Sequence, residues 1–396
     1  MKTPPLHPSQ SLAQKHYSSL PFPELKYGLD VRTDVSFTDI ESHVAGYTPS
    51  TPPSYFQELE KGVVLCDLAT AFTRFPEKMN AVFGSLLTKS DRLEMTHLAH
   101  VRNGFVIVVS PSVEVNHPIS IPVLTDTFTH TLVLAGKNAH ISFVHSETNP
   151  ASSKSPFFQS SAVEIFAEEG SHVTYVGMQD FSLDTIRFSY KRASVAAHAN
   201  VEWFWGEFGS KLVRMDISSH LMGENASTKN IGVFLGEKTQ TFDINQAATH
   251  FSPQSKSTLL SRGIMDDSSK VVYRGLLKMI KEAKGSVGNQ RADVLLLSSL
   301  AEADPVPALE IEGADVRCTH AATVGRVDKE KLFYLASRGL PEEVARALYI
   351  QGFFEHALGY FPPFALLHAF RFRMAQKLKF GLVHEELVPV PREVSA

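Results

Sequence analysis

From residue 104 to about residue 327, apolar and polar residues alternate with a period of two in short phrases such as GFVIVVS, HTLVLAG, HISFVHS, AVEIFAE, NVEWFWGE, NIGVFLG and PALEIEG. Alternation places successive side chains on opposite faces, so each phrase predicts a strand with one face turned to a core. The phrases resemble one another. Ala139-His140-Ile141-Ser142-Phe143, Ser171-His172-Val173-Thr174-Tyr175 and Asn200-Val201-Glu202-Trp203 each lead from a small or polar bend into an apolar-polar-apolar strand. Many short strands with few helices between them fit a sandwich, a barrel or a solenoid. The self-similarity and the length of the region favour a β-helix, whose coils bury their inward faces on one another and cannot fold singly. A tandem pair of sandwiches is the alternative.

On both sides the spacing turns helical. Residues 1 to about 54, with Thr48-Pro49-Ser50-Thr51-Pro52-Pro53-Ser54, read as an extended arm or cover. Between Tyr55 and Arg102 one helix opens at Pro76-Glu77 and carries Met79, Val82 and Phe83. A second, capped by Ser90 or Asp91, carries Leu93, Thr96, His97 and Val101. Past Asp328, itself a capping residue, Leu332, Phe333 and Leu335 mark a helix that Gly339 ends. Pro341-Glu342-Glu343 starts another, with Val344, Ala347, Leu348, Phe354 and Leu358 at helical spacing. A last helix, from Phe364 to about Phe380, aligns Leu367, Phe370, Met374 and Leu378. The predicted organisation is an N-terminal arm with a small helical or mixed domain (1–102), a β-helix core (103–327) and a C-terminal helical domain (328–396). The C-terminal stripes suit packing on the end of the β-helix as its cap, docking of another protein, or both.

Composition narrows the function. The 396 residues are 43% hydrophobic and 20% charged, with a net charge of −4 and no block of like charge, which argues against an electrostatic nucleic-acid binder. Two cysteines, Cys66 and Cys318, are too few for a disulfide framework and fit a reducing compartment, although a single bridge stays open. The N-terminal stretch lacks an apolar signal core, and the longest apolar runs, Phe105 to Val109 and Val294 to Leu297, fall far short of the ~20 residues of a membrane-spanning helix. A cytoplasmic protein without a membrane span is expected. No P-loop, GxSxG elbow, HExxH or Rossmann fingerprint occurs, so the chain is not expected to hydrolyse ATP itself.

Candidate chemistry is sparse. In PALEIEGADVRCTHAATVGRV, residues 307–327, Cys318 and His320 stand two apart on a predicted strand and therefore share a face. A thiolate beside an imidazole suits zinc, iron or an iron–sulfur unit. The plainer reading is a buried thiol beside a solvated imidazole. Two ligands fall short of the usual four, so any metal site needs more from elsewhere in the chain, a partner, solvent or substrate. Cys66, in GVVLCDL, reads as core. His97 with His100, and His140 with His145, would be ligand pairs only by coincidence of folding. Asp266-Asp267 and Glu168-Glu169 read as solvated bends, and Trp203 with Trp205 as core or a partner surface.

The run Val316-Arg317-Cys318-Thr319-His320-Ala321-Ala322-Thr323-Val324-Gly325-Arg326-Val327-Asp328, followed by Leu332-Phe333-Tyr334-Leu335-Ala336-Ser337-Arg338-Gly339-Leu340, resembles the signature of the SufB/SufD family, and SufD most closely. Gly62 to Leu68, Gly104 to Ser110, Ser261-Arg262-Gly263-Ile264, Tyr273 to Leu276 and Leu295 to Ser298 are similar to the same family. The resemblance spans residues 55 to about 358. It implies a right-handed parallel β-helix flanked by helical domains, and a non-catalytic scaffold role in iron–sulfur cluster assembly beside SufB, with ATP hydrolysis supplied by SufC. It maps the signature ligands to His320 and Cys318, at a transient cluster shared across the subunit interface. It also maps SufC docking to about Asp328 to Phe380, where Phe333, Tyr334, Arg338, Val344, Leu348 and Phe354 are the candidate contacts. A flavin stays open as a second cofactor of the complex. SufB carries a cysteine after an arginine where this chain has Ala292 after Arg291, which points away from a chain that holds the cluster alone. A homodimeric scaffold acting with SufC is the alternative. A β-helix carbohydrate-active enzyme, which needs a cleft of acids, lysines and aromatics, is a further one.

Overall fold

The computed structural model describes residues 7–20, 26–27, 31–32, 37–48, 54–88, 91–124, 126–148, 158–362 and 365–378. The alternating phrases form two long sheets, one of eight strands and one of ten. Successive strands of the chain belong to opposite sheets, and each pairs in parallel with the strand two further on, so Tyr175 lies between Phe143 and Trp203. This is a parallel β-solenoid, as the phrase pattern predicts. Its interior holds the inward rows of both sheets, including Ile141, Val173, Tyr175, Trp203 and Trp205 against Ile165, Val195, Met215 and Ile244.

One corner of the solenoid repeats in a way that fixes coil stacking. Asn138, Gly170, His198, Asn225, Gln254 and Gly285 all have positive φ, between 55° and 70°. The backbone N–H of each bonds a carbonyl in the corresponding corner of the next coil. Thus Asn138 donates to Glu169, Gly170 to Ala197, His198 to Glu224, Asn225 to Pro253 and Gln254 to Lys284, at 2.9 to 3.1 Å. Glycine adopts this conformation without steric cost, and asparagine does so more readily than most residues. His198 and Gln254 are held there by the stack itself.

Helices cover both outer faces. The helix Arg92–His100, capped by the Asp91 carboxylate, packs Leu93, Met95 and Leu98 with Met79 and Phe83 onto Leu132, Phe158, Phe188 and Tyr190 of the ten-stranded sheet. The C-terminal helices Glu342–Leu358 and Ala365–Lys377 bury Ile350, Phe354, Phe370 and Met374 on Val176, Phe204, Ile231 and Leu260 of the eight-stranded sheet. Here the expectation of an end cap is corrected. Val176, Phe204, Ile231 and Leu260 are consecutive in-register neighbours, an apolar row on the outer face that has to be covered from the side. Gly206 makes room for this cover, since a Cβ there would lie 2.3 Å from the Phe370 ring.

The two ends of the solenoid differ. At the first, strand Val63–Asp67 continues the ten-stranded sheet antiparallel to Asn103–Val109 and Phe56–Glu60 pairs antiparallel to it in turn; this outermost strand is exposed throughout and carries Glu58 and Glu60. Charge of this kind discourages further pairing. At the last, strands Glu302–Ile311 and Val316–Arg326 end their sheets, each paired on one side only among the described residues. No residue of Val316–Arg326 is buried.

Candidate functional site at the open end

Cys318 and His320 lie on Val316–Arg326, and sheet register shows which way they face. Cys318 continues the row Val173, Val201, Thr228, Ser257, Gly288. His320 continues Tyr175, Trp203, Asn230, Leu259, Gln290. Both rows line the solenoid interior, and the ladder keeps every residue of a row on one face. The two side chains therefore stand at the mouth of the interior. Thr319 points outward and donates its hydroxyl to Asn289 Oδ1 at 2.8 Å.

Burial pushes the half-buried Cys318 thiol up from its ordinary pKa, and a hydrogen bond from the Gly288 backbone N–H pulls part of the way back. His320 is exposed. Among the described residues, no group of three or more His, Cys, Asp or Glu side chains is placed to hold a metal ion. The mouth thus offers one sulfur and one imidazole on a face open to a second body.

The opposite wall of the mouth is the edge strand Glu302–Ile311. Glu302 and Glu312 donate their N–H groups inward, to Ser269 O at 3.1 Å and Met279 O at 2.9 Å. In a parallel ladder alternate residues bond to opposite sides, so the odd positions of this strand aim at the open edge. Two of these are Pro305 and Pro307, which have no N–H to offer. Val316–Arg326 contains no proline. One edge is blunted against a further strand, and the other is not.

The remaining candidates fall elsewhere. Cys66 is fully buried and its thiol is pushed up to about 12 by burial, as a core residue. His140 and His145 point to opposite sides of one strand, with His140 exposed and His145 buried. His97 belongs to a buried chain in which its Nδ1 meets Ser160 Oγ at 2.9 Å, its Nε2 meets His130 Nδ1 at 3.3 Å, and His130 Nε2 meets Glu164 Oε2 at 2.9 Å. Glu164 also accepts from the Gly84 and Leu86 backbones, so this chain ties the N-terminal helices to the sheet. Trp203 and Trp205 are core, donating to Ser219 Oγ at 3.0 Å and Asn230 Oδ1 at 2.7 Å. Glu169 pairs with Lys137 in an exposed bend.

On the C-terminal helices, Phe333 and Tyr334 are 76% and 56% exposed, and Arg338 lies over the Tyr334 ring. They sit on the helix Lys329–Ser337, which buries none of its residues. Beside it opens a cleft of about 520 Å³ lined by Leu296, Leu297, Leu332 and Phe333 with Arg326 and Arg346 among its basic residues. Leu348 is exposed and Val344 half-buried, whereas Phe354 is 1% exposed and packs on the eight-stranded sheet.

The fold and the site define a parallel β-solenoid with a Cys-x-His pair on the last strand of its eight-stranded sheet. Comparison with known proteins gives the family. The SUF system FeS cluster assembly, SufBD core domain, matches residues 122–353. An iron-sulfur cluster assembly SufBD family protein of Staphylococcus saprophyticus is 30% identical over 306 residues, 76% of this chain and 66% of the relative. A protein so named from Staphylococcus epidermidis is 30% identical over 302 residues, 75% of this chain and 65% of its own. One from Staphylococcus aureus is 29% identical over the same length. The chain belongs to the SufBD family of iron–sulfur cluster assembly proteins. It spans about two thirds of the length of the curated relatives it matches. No helix among the described residues is long and apolar enough to cross a membrane.

Proposed function

We propose that this chain is a SufD-like scaffold subunit whose open end joins a SufB-like subunit, so that Cys318 and His320 hold a transient iron–sulfur cluster with ligands from the other side. The observation that carries this reading is that both side chains lie on inward rows of an edge strand that, among the described residues, keeps its outer N–H groups unpaired. A soft sulfur and a borderline nitrogen suit iron, and a shared site accounts for a ligand set that is half complete. The cluster is cargo, built and passed on. A second copy of this chain is the other partner that fits, because an end with one free edge is open to any chain presenting a matching strand.

The exposed helix Lys329–Ser337 and its basic-rimmed cleft support docking of the SufC ATPase, with Phe333, Tyr334 and Arg338 as the outer contacts and Leu348 and Val344 at the margin. Phe354 acts from behind by seating the second helix on the sheet. Native mass measurement of the co-expressed complex tests the reading. Two SufBD-type subunits with SufC are expected, and the full chain carrying Phe333→Ala with Tyr334→Ala, both exposed, is expected to keep its SufBD partner and lose SufC. SufC capture at full strength by that variant contradicts the docking assignment.

A further inference from the structure

Gln290 lies one coil beneath the mouth. It is 2% exposed, yet neither its Oε1 nor its Nε2 has a hydrogen-bond partner. A buried amide without partners is destabilising, whereas a leucine of similar size at an inward strand position is not. The opposite sheet is shaped to admit it. At Gly275 an added Cβ would lie 1.8 Å from Gln290 Nε2, so the bare backbone there receives the amide.

Sideways, Gln290 is the in-register neighbour of His320, and Gly288 is that of Cys318. In-register side chains on one face of adjacent strands stand about 5 Å apart. One coil beneath His320 there is therefore a carboxamide, and beneath Cys318 plain backbone. We infer that Gln290 is a contact residue for the guest at the mouth, its amide N–H donating to an inorganic sulfur of an iron–sulfur cluster resting against Cys318 and His320. This rests on the scaffold reading above and adds a third side chain to it. A carboxamide suits the task because it donates to an electron-rich sulfur without bringing charge or competing for iron. Hydrogen bonds to cluster sulfurs tune the reduction potential and hold the cluster in place.

The test uses the full chain co-purified with its SufBD partner and loaded anaerobically with ferrous iron and sulfide. Gln290→Leu is expected to take up as much iron as the wild type, to show a lowered midpoint potential, and to lose its cluster to a chelator several-fold faster. Its Tm without iron is expected to equal or exceed that of the wild type, since the orphaned amide is gone. Unchanged potential and release rate in Gln290→Leu, with normal loading of the wild type, overturn the inference and leave the scaffold reading standing. A wild-type complex that takes up no cluster overturns both. Should Gln290→Leu not fold, Gln290→Met replaces it, keeping the length and losing the N–H without adding charge. A lowered potential then supports the inference, and an unchanged one overturns it.

Discussion

Both ring nitrogens of His250 meet serine hydroxyls, Ser255 Oγ at 2.7 Å and Ser257 Oγ at 2.8 Å, and burial draws its pKa from 6.5 down to about 4. The unfolded chain therefore takes up this proton more readily than the folded one. Stability is whole above the unfolded value and falls as the pH drops through the window from about 6.5 to about 4, by at most about 3 kcal/mol. Denaturant unfolding at pH 7 and pH 4.5 checks this. His250→Gln is expected to lose less stability on acidification than the wild type, and equal losses contradict the assignment. Interior rings set a second constraint at this scale. The Trp205 ring lies over Gly232, where a Cβ would come within 2.0 Å of Cε2, and its indole N–H is tied to Asn230. Gly232→Ala is expected to cost about 1–3 kcal/mol by overpacking. An unchanged unfolding midpoint in urea contradicts the cradle.

Edge strands and surface helices carry the predictions at the scale of elements. Within strand Ser286–Leu296 and one residue past its end, Val287 and Leu297 donate to the preceding coil, at Ser255 O and Met265 O. Alternation then turns the even N–H groups of Val316–Arg326, Val324 among them, to the open edge. Val324→Pro removes such a donor at an exposed position four residues from His320. It is expected to weaken subunit pairing at least tenfold, about 1.4 kcal/mol, read by analytical ultracentrifugation, while the circular dichroism of the chain is unchanged. Pairing at full strength contradicts an edge-to-edge joint. On the helices, Phe333→Ala is expected to leave stability within about 0.5 kcal/mol and weaken SufC binding by about 1 kcal/mol or more. Phe354→Ala is expected to cost about 3–5 kcal/mol of packing.

Much of this was legible in the sequence, and the rest was not, for physical reasons. Alternation marks strands, and Asp91, Asp328 and Pro341 mark helix starts as they should. The side-on seat of the C-terminal helices was written in runs such as Trp203-Phe204-Trp205, apolar on both faces, which call for cover on the outer side as well. The stacked corner was hidden, because His198 and Gln254 carry no turn signature and adopt positive φ only through bonds to the next coil. The inward direction of Cys318 and His320 was also hidden. Spacing shows that they share a face, but only the register through Gly288 and Gln290 shows which face.

At the scale of the whole molecule, the described residues cover both faces of the solenoid and leave its last coil exposed. Helices cover both outer faces, charged residues guard the first end, and the last end presents a sulfur and an imidazole beside one blunted and one free strand edge. On the scaffold reading proposed above, Cys318 and His320 stand where a second subunit would add the further ligands. The most direct measurement is anaerobic cluster reconstitution on the co-expressed complex, followed by absorption and Mössbauer spectra. The wild-type complex is expected to gain an iron–sulfur cluster, and one carrying Cys318→Ser with His320→Ala to gain little or none at equal complex yield. Full cluster uptake by that double variant would contradict the account.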